Sequence, residues 1–323
     1  MTGPVPSDTS PPSPSAELTD DCEALRHAVG VVTVAREVIL VSGPDALEYL
    51  QGQCSQDVAA LEIGMSADAL LLTPQGKLDA LVRVTRSGED DLYVDVDAGY
   101  GTAVMARLAR FKLRVKVGIE PVDWRVVALR GPGSATVVDG VTAPAGTSFV
   151  VPYAWGGVTG VDLLGADPQI PALVRRCGPA AWQTLRVEAG IPVMGAELDE
   201  RTIAAEADLL ERCVSFTKGC YTGQELVARL DARGNKVARH LRAVAVDPGQ
   251  SARATLRPGA EVSVGDKVVG RLTSVAWSPV LGTAVALCYL HRDVEPSCAV
   301  RVQVEGITDA TAAAHALTLP LAV

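Results

Sequence analysis

"AEVSVGDKVVGRLTSVAW", Ala260 to Trp277, alternates apolar and polar residues in two runs on either side of Gly265-Asp266. Alternation at period two turns one face of each run inward, and a Gly-Asp pair suits a two-residue hairpin turn. "AVALCYL" (284–290) and "AVRVQVEG" (299–306) continue in the same texture. From roughly Leu241 onward the chain therefore reads as a separate small all-β unit, a barrel or a sandwich.

Upstream the texture is mixed. "SGPDALEYLQGQ" (42–53) opens on turn chemistry, sets Leu47 and Leu50 three apart and closes at Gly52, the pattern of a short amphipathic helix. "LYVDVD" (92–97) and "KLRVKV" (112–117) alternate as strands, and "AVMARLARF" (103–111) between them keeps helical spacing. "WRVVALRGPGSATV" (124–137) adds a strand, and "LVRRCGPAAWQTLRVEAG" (173–190) a helix ending at Gly190. The fold class is α+β. The first residues, with prolines at 4, 6, 11, 12 and 14 and almost no large apolar side chain, read as a disordered tail over 1–25.

At 323 residues the chain is long enough for two or three domains. A formal charge of -9 argues against a surface built for nucleic acid or anionic membrane. Seven cysteines without a close-spaced framework read as reduced thiols, and with four scattered histidines they form no metal-ligand pattern. There is no basic segment followed by an apolar core at the start, and apolar runs such as Val31 to Val41 are broken by charge. The expectation is a cytoplasmic protein with no membrane partner and no metal.

The most informative stretch is "KGCYTGQE", Lys218 to Glu225. "VSF" (214–216) reads as a short strand and "QELVARL" (224–230) as a helix, which makes the octet a strand-to-helix turn. Thr222 and Glu225 fit a capping box, which starts the helix at Thr222 and leaves Cys220 just ahead of its positive end. With Lys218 two residues away, Cys220 has two reasons for increased thiolate character. The competing reading is a tight turn, permitted by Gly219 and Gly223, that holds a buried, inert sulfur. "ARLDARGNKVARHLRAV" (228–244) sets Arg229, Arg233, Lys236, Arg239 and Arg242 against the single acid Asp231. It reads either as a solvated connector or as an anion-attracting rim beside the cysteine turn.

The octet is similar to the signature of the YgfZ family of folate-binding iron-sulfur cluster maintenance proteins, K-G-C-[FY]-x-G-Q-E, at every position. "YLQGQCSQDV" (49–58) resembles that family's early helix and loop. "LRVEAGIPVMGAELDERTIAAEADL" (185–209) resembles a segment shared with the aminomethyltransferase of the glycine cleavage system.

The resemblance implies a three-part cloverleaf around a central channel. An aminomethyltransferase-like folate-binding region over 26–235 holds two intertwined α+β subdomains, the second at about 60–121, and an antiparallel β-barrel follows over 236–323. It implies tetrahydrofolate, or a one-carbon derivative, as cofactor. Iron-sulfur client enzymes or cluster carrier proteins are the implied partners, with Cys220 as the reactive group and Lys218 tuning it. Gly219, Tyr221, Gly223, Gln224 and Glu225 complete the motif. Glu188 is expected to hydrogen-bond the pterin, Asp79 to face the folate, and Arg233 with its basic neighbours to attract the folate's glutamate tail. In "QGKLDAL" Asp79 is followed by Ala80, where aminomethyltransferases carry adjacent aspartates. That departure sets the alternative, a tetrahydrofolate-dependent aminomethyl or methyl transferase, in second place.

Overall fold

A computed structural model describes residues 15–138, 148–170, 172–251, 256–304 and 311–322. Three β-structures organise them. The first is a five-stranded sheet of β1 (Gly30–Val34), β7 (Arg125–Arg130), β8 (Ser148–Trp155), β9 (Val158–Gly165) and β10 (Arg175–Arg176), in the order β10-β1-β7-β9-β8. The second is a sheet of β2 (Arg36–Ser42), β3 (Ser66–Leu72), β4 (Leu78–Arg86), β5 (Asp91–Asp97) and β6 (Gly118–Val122), in the order β3-β4-β5-β2-β6. The sheets are intertwined because β1 and β2 are consecutive in the chain yet belong to different sheets. The second subdomain therefore takes in β2 and does not begin at 60.

The third is a closed barrel of β11 (Arg239–Val246), β12 (Glu261–Val264), β13 (Lys267–Ser278), β14 (Thr283–His291), β15 (Ala299–Gln303) and β16 (Thr311–Leu317). Gly265, at φ 57, makes the β12–β13 turn as expected. Small residues line the interior: Ala284, Ala286, Cys288, Ala312, Ala314 and Ala316 pack around Leu272, Leu290 and Val302. The barrel has a core of its own and also docks on the second sheet. On alternate positions Ala243, Val285, Leu287 and Tyr289 face outward into the core of the second sheet, joining Ile39, Leu70 and Val94. β14 is buried on both faces for this reason and reads as one continuous apolar run.

Helices α2 (Ala46–Gln53) and α3 (Gly101–Arg110) flank the second sheet, and a short α4 (Ser134–Val138) follows β7. α5 (Pro179–Ala189) ends at Gly190, which adopts the left-handed conformation at φ 71. α6 (Leu210–Cys213) and α7 (Gln224–Asp231) flank the octet. No helix among the described residues is long and apolar enough to cross a membrane.

Several expectations are corrected. Residues 1–14 lie outside the described residues, but Ala16–His27 form helix α1, so the tail does not extend to 25. The Ser15 hydroxyl caps it, accepting from Leu18 N–H at 3.1 Å. Leu18, Cys22 and Leu25, spaced for one face, pack with Ala181 and Leu185 of α5. "KLRVKV" is a turn rather than a strand: Arg114 sits at φ 61, and pairing begins only at Gly118. "VSF" forms no strand either, because Ser215 N–H bonds the Ser55 carbonyl while Phe216 is exposed.

Candidate functional site

The octet is fastened to two segments far away in sequence. Lys218 Nζ donates to three backbone carbonyls beyond and at the end of α2: Gln51 at 2.6 Å, Cys54 at 2.9 Å and Gln56 at 2.8 Å. Thr222 N–H donates to the Gly52 carbonyl, 3.3 Å. Helix C-termini leave carbonyls without intrahelical donors, so an ammonium here satisfies both their hydrogen bonding and the negative end of the dipole. On its other side the octet packs on the β3–β4 turn. Gly223 is left-handed at φ 84, and a Cβ there would run into the Thr73 carbonyl and come within 2.8 Å of Leu72 Cβ. Gly76 in that turn, at φ 75, is pressed in return against Leu226 and the Gly223 carbonyl.

The expected capping box does not form. α7 begins at Gln224 with Gly223 as its cap residue, and no side chain caps it. Gln224 Oε1 instead accepts from Tyr221 N–H at 3.1 Å, closing the turn from within. Glu225 is exposed in the first turn of α7, where its charge still suits the helix's positive end.

Of the seven cysteines, Cys220 is the exposed one; Cys177 and Cys298 are half-buried and the other four are buried. Cys220 is therefore not a buried sulfur. Lys218, however, is not aimed at it. Burial lowers the Lys218 pKa, and the thiol whose charge it feels is Cys54, itself pushed up to about 11 by burial. Tyr221 lies under the ammonium at 5.3 Å, its hydroxyl pushed up to about 12 by burial. The tuning expected of Lys218 is replaced by anchoring.

Asp79 joins the same neighbourhood through Arg107. Arg107 Nε donates to Asp79 at 2.9 Å, its other nitrogens reach Gln53 Oε1 at 2.9 Å and the Leu72 carbonyl at 3.0 Å, and its guanidinium lies 4.1 Å from the Phe111 ring. Ala80 is buried. The acid is thus part of a latch between α2, α3 and β4.

Glu188 sits on α5, on the buried face, paired with Arg26 of α1 rather than with Arg186 or Arg201. Arg186 is engaged by Glu197 at 3.1 Å, and Arg201 lies exposed beside Glu200. Glu188 Oε1 and Arg26 Nε are buried without a hydrogen-bond partner, as is Arg130 Nε. Arg130, at the end of β7, lies 3.6 Å from the Tyr153 ring and 5.3 Å from the Trp182 ring. It pairs with Asp162 at 2.6 Å. Asp162 also pairs with Arg83 of the other sheet, which reaches Asp95 at 2.9 Å. Burial alone pushes the Asp162 carboxyl up, but Arg130 and Arg83 outweigh it and hold it low. Arg212, paired with Asp68 at 2.6 Å and set 4.3 Å from the Trp155 ring, links this ladder toward α6.

Arg26, Arg83, Arg130, Tyr153, Asp162 and Arg212 were missed from the sequence. A lone acid in the apolar strand "VDLL" was the available signal for Asp162. Arg233 is exposed past the end of α7, about 12 Å of helix away from the octet. Within the basic connector Arg239 pairs with Glu206 at 3.0 Å and lies 4.4 Å from the Tyr289 ring, whereas Arg229, Arg233 and Lys236 are exposed.

Two interleaved sheets and a closed six-stranded barrel define a mixed α+β protein of the aminomethyltransferase fold. A crystal structure of the glycine cleavage system aminomethyltransferase T from Bartonella henselae superposes with a TM-score of 0.80 at 22% identity, covering 94% of this chain and 89% of that one. Residues 11–163 match the GCVT N-terminal domain and residues 239–321 the glycine cleavage T-protein C-terminal barrel domain. The chain is built from the aminomethyltransferase-like domains of the GCVT family. It is 28% identical to an aminomethyltransferase of Rubrobacter xylanophilus over 307 residues, 87% of this chain and 81% of that protein. It is 26% identical to an uncharacterized protein of Haemophilus influenzae over 207 residues, 61% of this chain and 67% of that protein.

Proposed function

We propose that this protein binds tetrahydrofolate, or a one-carbon derivative of it, and assists the assembly or repair of iron-sulfur clusters in client enzymes, acting through Cys220. The observation that carries the reading is the placement of the octet. Cys220 stands exposed on a turn that Lys218, Thr222 and Gly223 clamp to α2 and to the β3–β4 turn. A thiol on a rigid, exposed turn is presented to a second macromolecule, an iron-sulfur client or a cluster carrier, rather than enclosed for a small substrate.

The chain's own residues fit a folate. Glu188 Oε1 is a buried acceptor without a donor, and a pterin edge offers N–H donors to a carboxylate fork. Tyr153 and Trp182, with the Arg130 guanidinium over their rings, set aromatic and cationic groups beside α5. Bound there, a reduced folate would supply one-carbon carrying capacity. Exposed Arg229, Arg233 and Lys236 offer positive charge for a glutamate tail. Cytoplasmic residence accords with reduced thiols, and nucleic acid has no place in this reading because the net charge is -9.

The second reading is aminomethyl or methyl transfer, favoured by curated relatives named aminomethyltransferase over most of the chain. Asp79 is committed to Arg107 and Ala80 offers no second acid, which places it second. Incubation with tetrahydrofolate and an aminomethylated lipoyl carrier separates the two. Formation of methylenetetrahydrofolate would establish the transferase, and its absence alongside loss of cluster-enzyme activity in a strain lacking the protein would support the maintenance role.

A further inference from the structure

Glu188 and Arg26 form an ion pair in which the side chains are 2% and 9% exposed. One carboxylate oxygen is held by the guanidinium, while Oε1 has no donor and Arg26 Nε no acceptor. A buried acceptor without a donor bears its full desolvation cost, and a ligand N–H reaching Glu188 Oε1 would relieve it. The backbone behind the pair is fixed. α5 stops at left-handed Gly190, and Leu321 N–H donates to the Glu188 carbonyl at 2.8 Å.

We propose that Arg26 is a positioning residue for the folate: it keeps Glu188 ionised and leaves its second oxygen free for the pterin, so that helix α1 completes the binding site. The inference rests on the folate reading above. A carboxyl buried this deeply without a cation rises in pKa and takes up a proton, and a contacting guanidinium reverses that. A protonated carboxyl has turned one acceptor into a donor and no longer matches an edge made of N–H groups.

The charged and titratable neighbours do not supply a substitute cation. On α1, Cys22 and Glu23 act on Arg26, and Asp21 is taken by Arg175 at 2.7 Å and by the Gly178 N–H. On α5, Arg186 is held by Glu197 and Ser274. From β7 and β8, Arg130 and Tyr153 meet α5 at Trp182, with Arg130 committed to Asp162. β13 and β14 contribute Arg271, paired with Glu261, Cys288 inside the barrel, Tyr289, bonded to the Glu197 carbonyl, and His291, beside Asp293.

The test is tetrahydrofolate binding to the full chain by anaerobic calorimetry between about pH 6 and about pH 9, in the parent, Arg26→Gln, Arg26→Lys and Glu188→Gln. The ligand's own titration is common to all four. Arg26→Gln is expected to bind at least ~10-fold more weakly at the acid end than at the alkaline end, relative to the parent profile, as Glu188 protonates below its raised pKa. Arg26→Lys keeps the parent's profile with a weaker overall affinity, because a point charge replaces a fork. Glu188→Gln binds weakly at every pH. Merely structural damage would lower affinity without moving the profile. Arg26→Gln with the parent's affinity and profile would overturn the inference, as would an Arg26→Lys profile that falls away at the acid end should the glutamine variant fail to fold. A parent that binds no tetrahydrofolate would instead overturn the folate reading itself.

Discussion

Replacing Lys218 by Met tests whether the motif lysine anchors the octet or activates its thiol. Met keeps most of the side chain's apolar length and removes the ammonium. Three carbonyls, those of Gln51, Cys54 and Gln56, lose donors at 2.6 to 2.9 Å. Hydrogen bonds to a charged group contribute about 1.5–3 kcal/mol each, but a half-buried ammonium has given up part of its hydration to make them, as its lowered pKa records. The contact with Tyr221 at 5.3 Å adds about 0.5–1 kcal/mol. The net loss on Lys218→Met is expected at about 2–4 kcal/mol, with the freed carbonyls turning partly to water. Urea unfolding followed by fluorescence, with iodoacetamide labelling of Cys220 in native buffer, measures both effects. The midpoint should fall and the rate of Cys220 alkylation should not. A midpoint within about 0.5 kcal/mol of the parent, together with a tenfold slower alkylation, would refute anchoring and restore the lysine as the thiol's activator.

Three further outcomes follow from the same geometry. Gly223→Ala must adopt φ 84 and displace both Leu72 and the Thr73 carbonyl, so it should destabilise by ~2 kcal/mol or more, whereas Gly219→Ala, with open space around it, stays within about 0.5 kcal/mol in the same unfolding assay. Peptide mass mapping after limited iodoacetamide treatment should find Cys220 modified first and Cys213 last, since burial raises the Cys213 thiol well above its ordinary value; early labelling of Cys213 in folded protein would contradict this. Cys54 is raised from 9.0 to about 11 by burial, so the folded state holds that proton more tightly. Its contribution is complete below pH 9 and lost as pH rises toward 11, up to ~3 kcal/mol, and Cys54→Ala should flatten that alkaline decline in urea midpoints.

What the sequence disclosed depended on how far apart the interacting residues lie. The hairpin at Gly265-Asp266, the helix stop at Gly190 and the tight octet turn are local events, each legible from a few neighbouring residues. α1 was legible too, through Ser15 and the spacing of Leu18, Cys22 and Leu25, but proline-rich composition just before it masked the signal. The capping box at Thr222 and Glu225 was a correct local pattern overridden by tertiary contacts: Thr222 N–H is taken by Gly52, and Gly223 is pressed on the β3–β4 turn. Lys218 meets carbonyls 162 to 167 positions earlier, and Arg26 meets Glu188 162 positions later. Pairings at that range leave no mark on a single sequence, which is why lysine tuning of the nearby Cys220 was the natural inference and anchoring to α2 was not. The barrel's docking was hidden for the same reason, since nothing local tells that Leu287 and Tyr289 face another sheet's core.

The role of Cys220 can be read in a strain lacking the protein, complemented with Cys220→Ser and assayed for the activities of iron-sulfur enzymes. Exposure of Cys220 makes serine a mild change for the fold, so the variant should show the parent's urea midpoint and bind tetrahydrofolate as the parent does. It should nonetheless fail to restore cluster-enzyme activity, while the parent chain restores it. Full restoration by a well-folded Cys220→Ser would contradict the claim that this exposed thiol is what the octet is built to present.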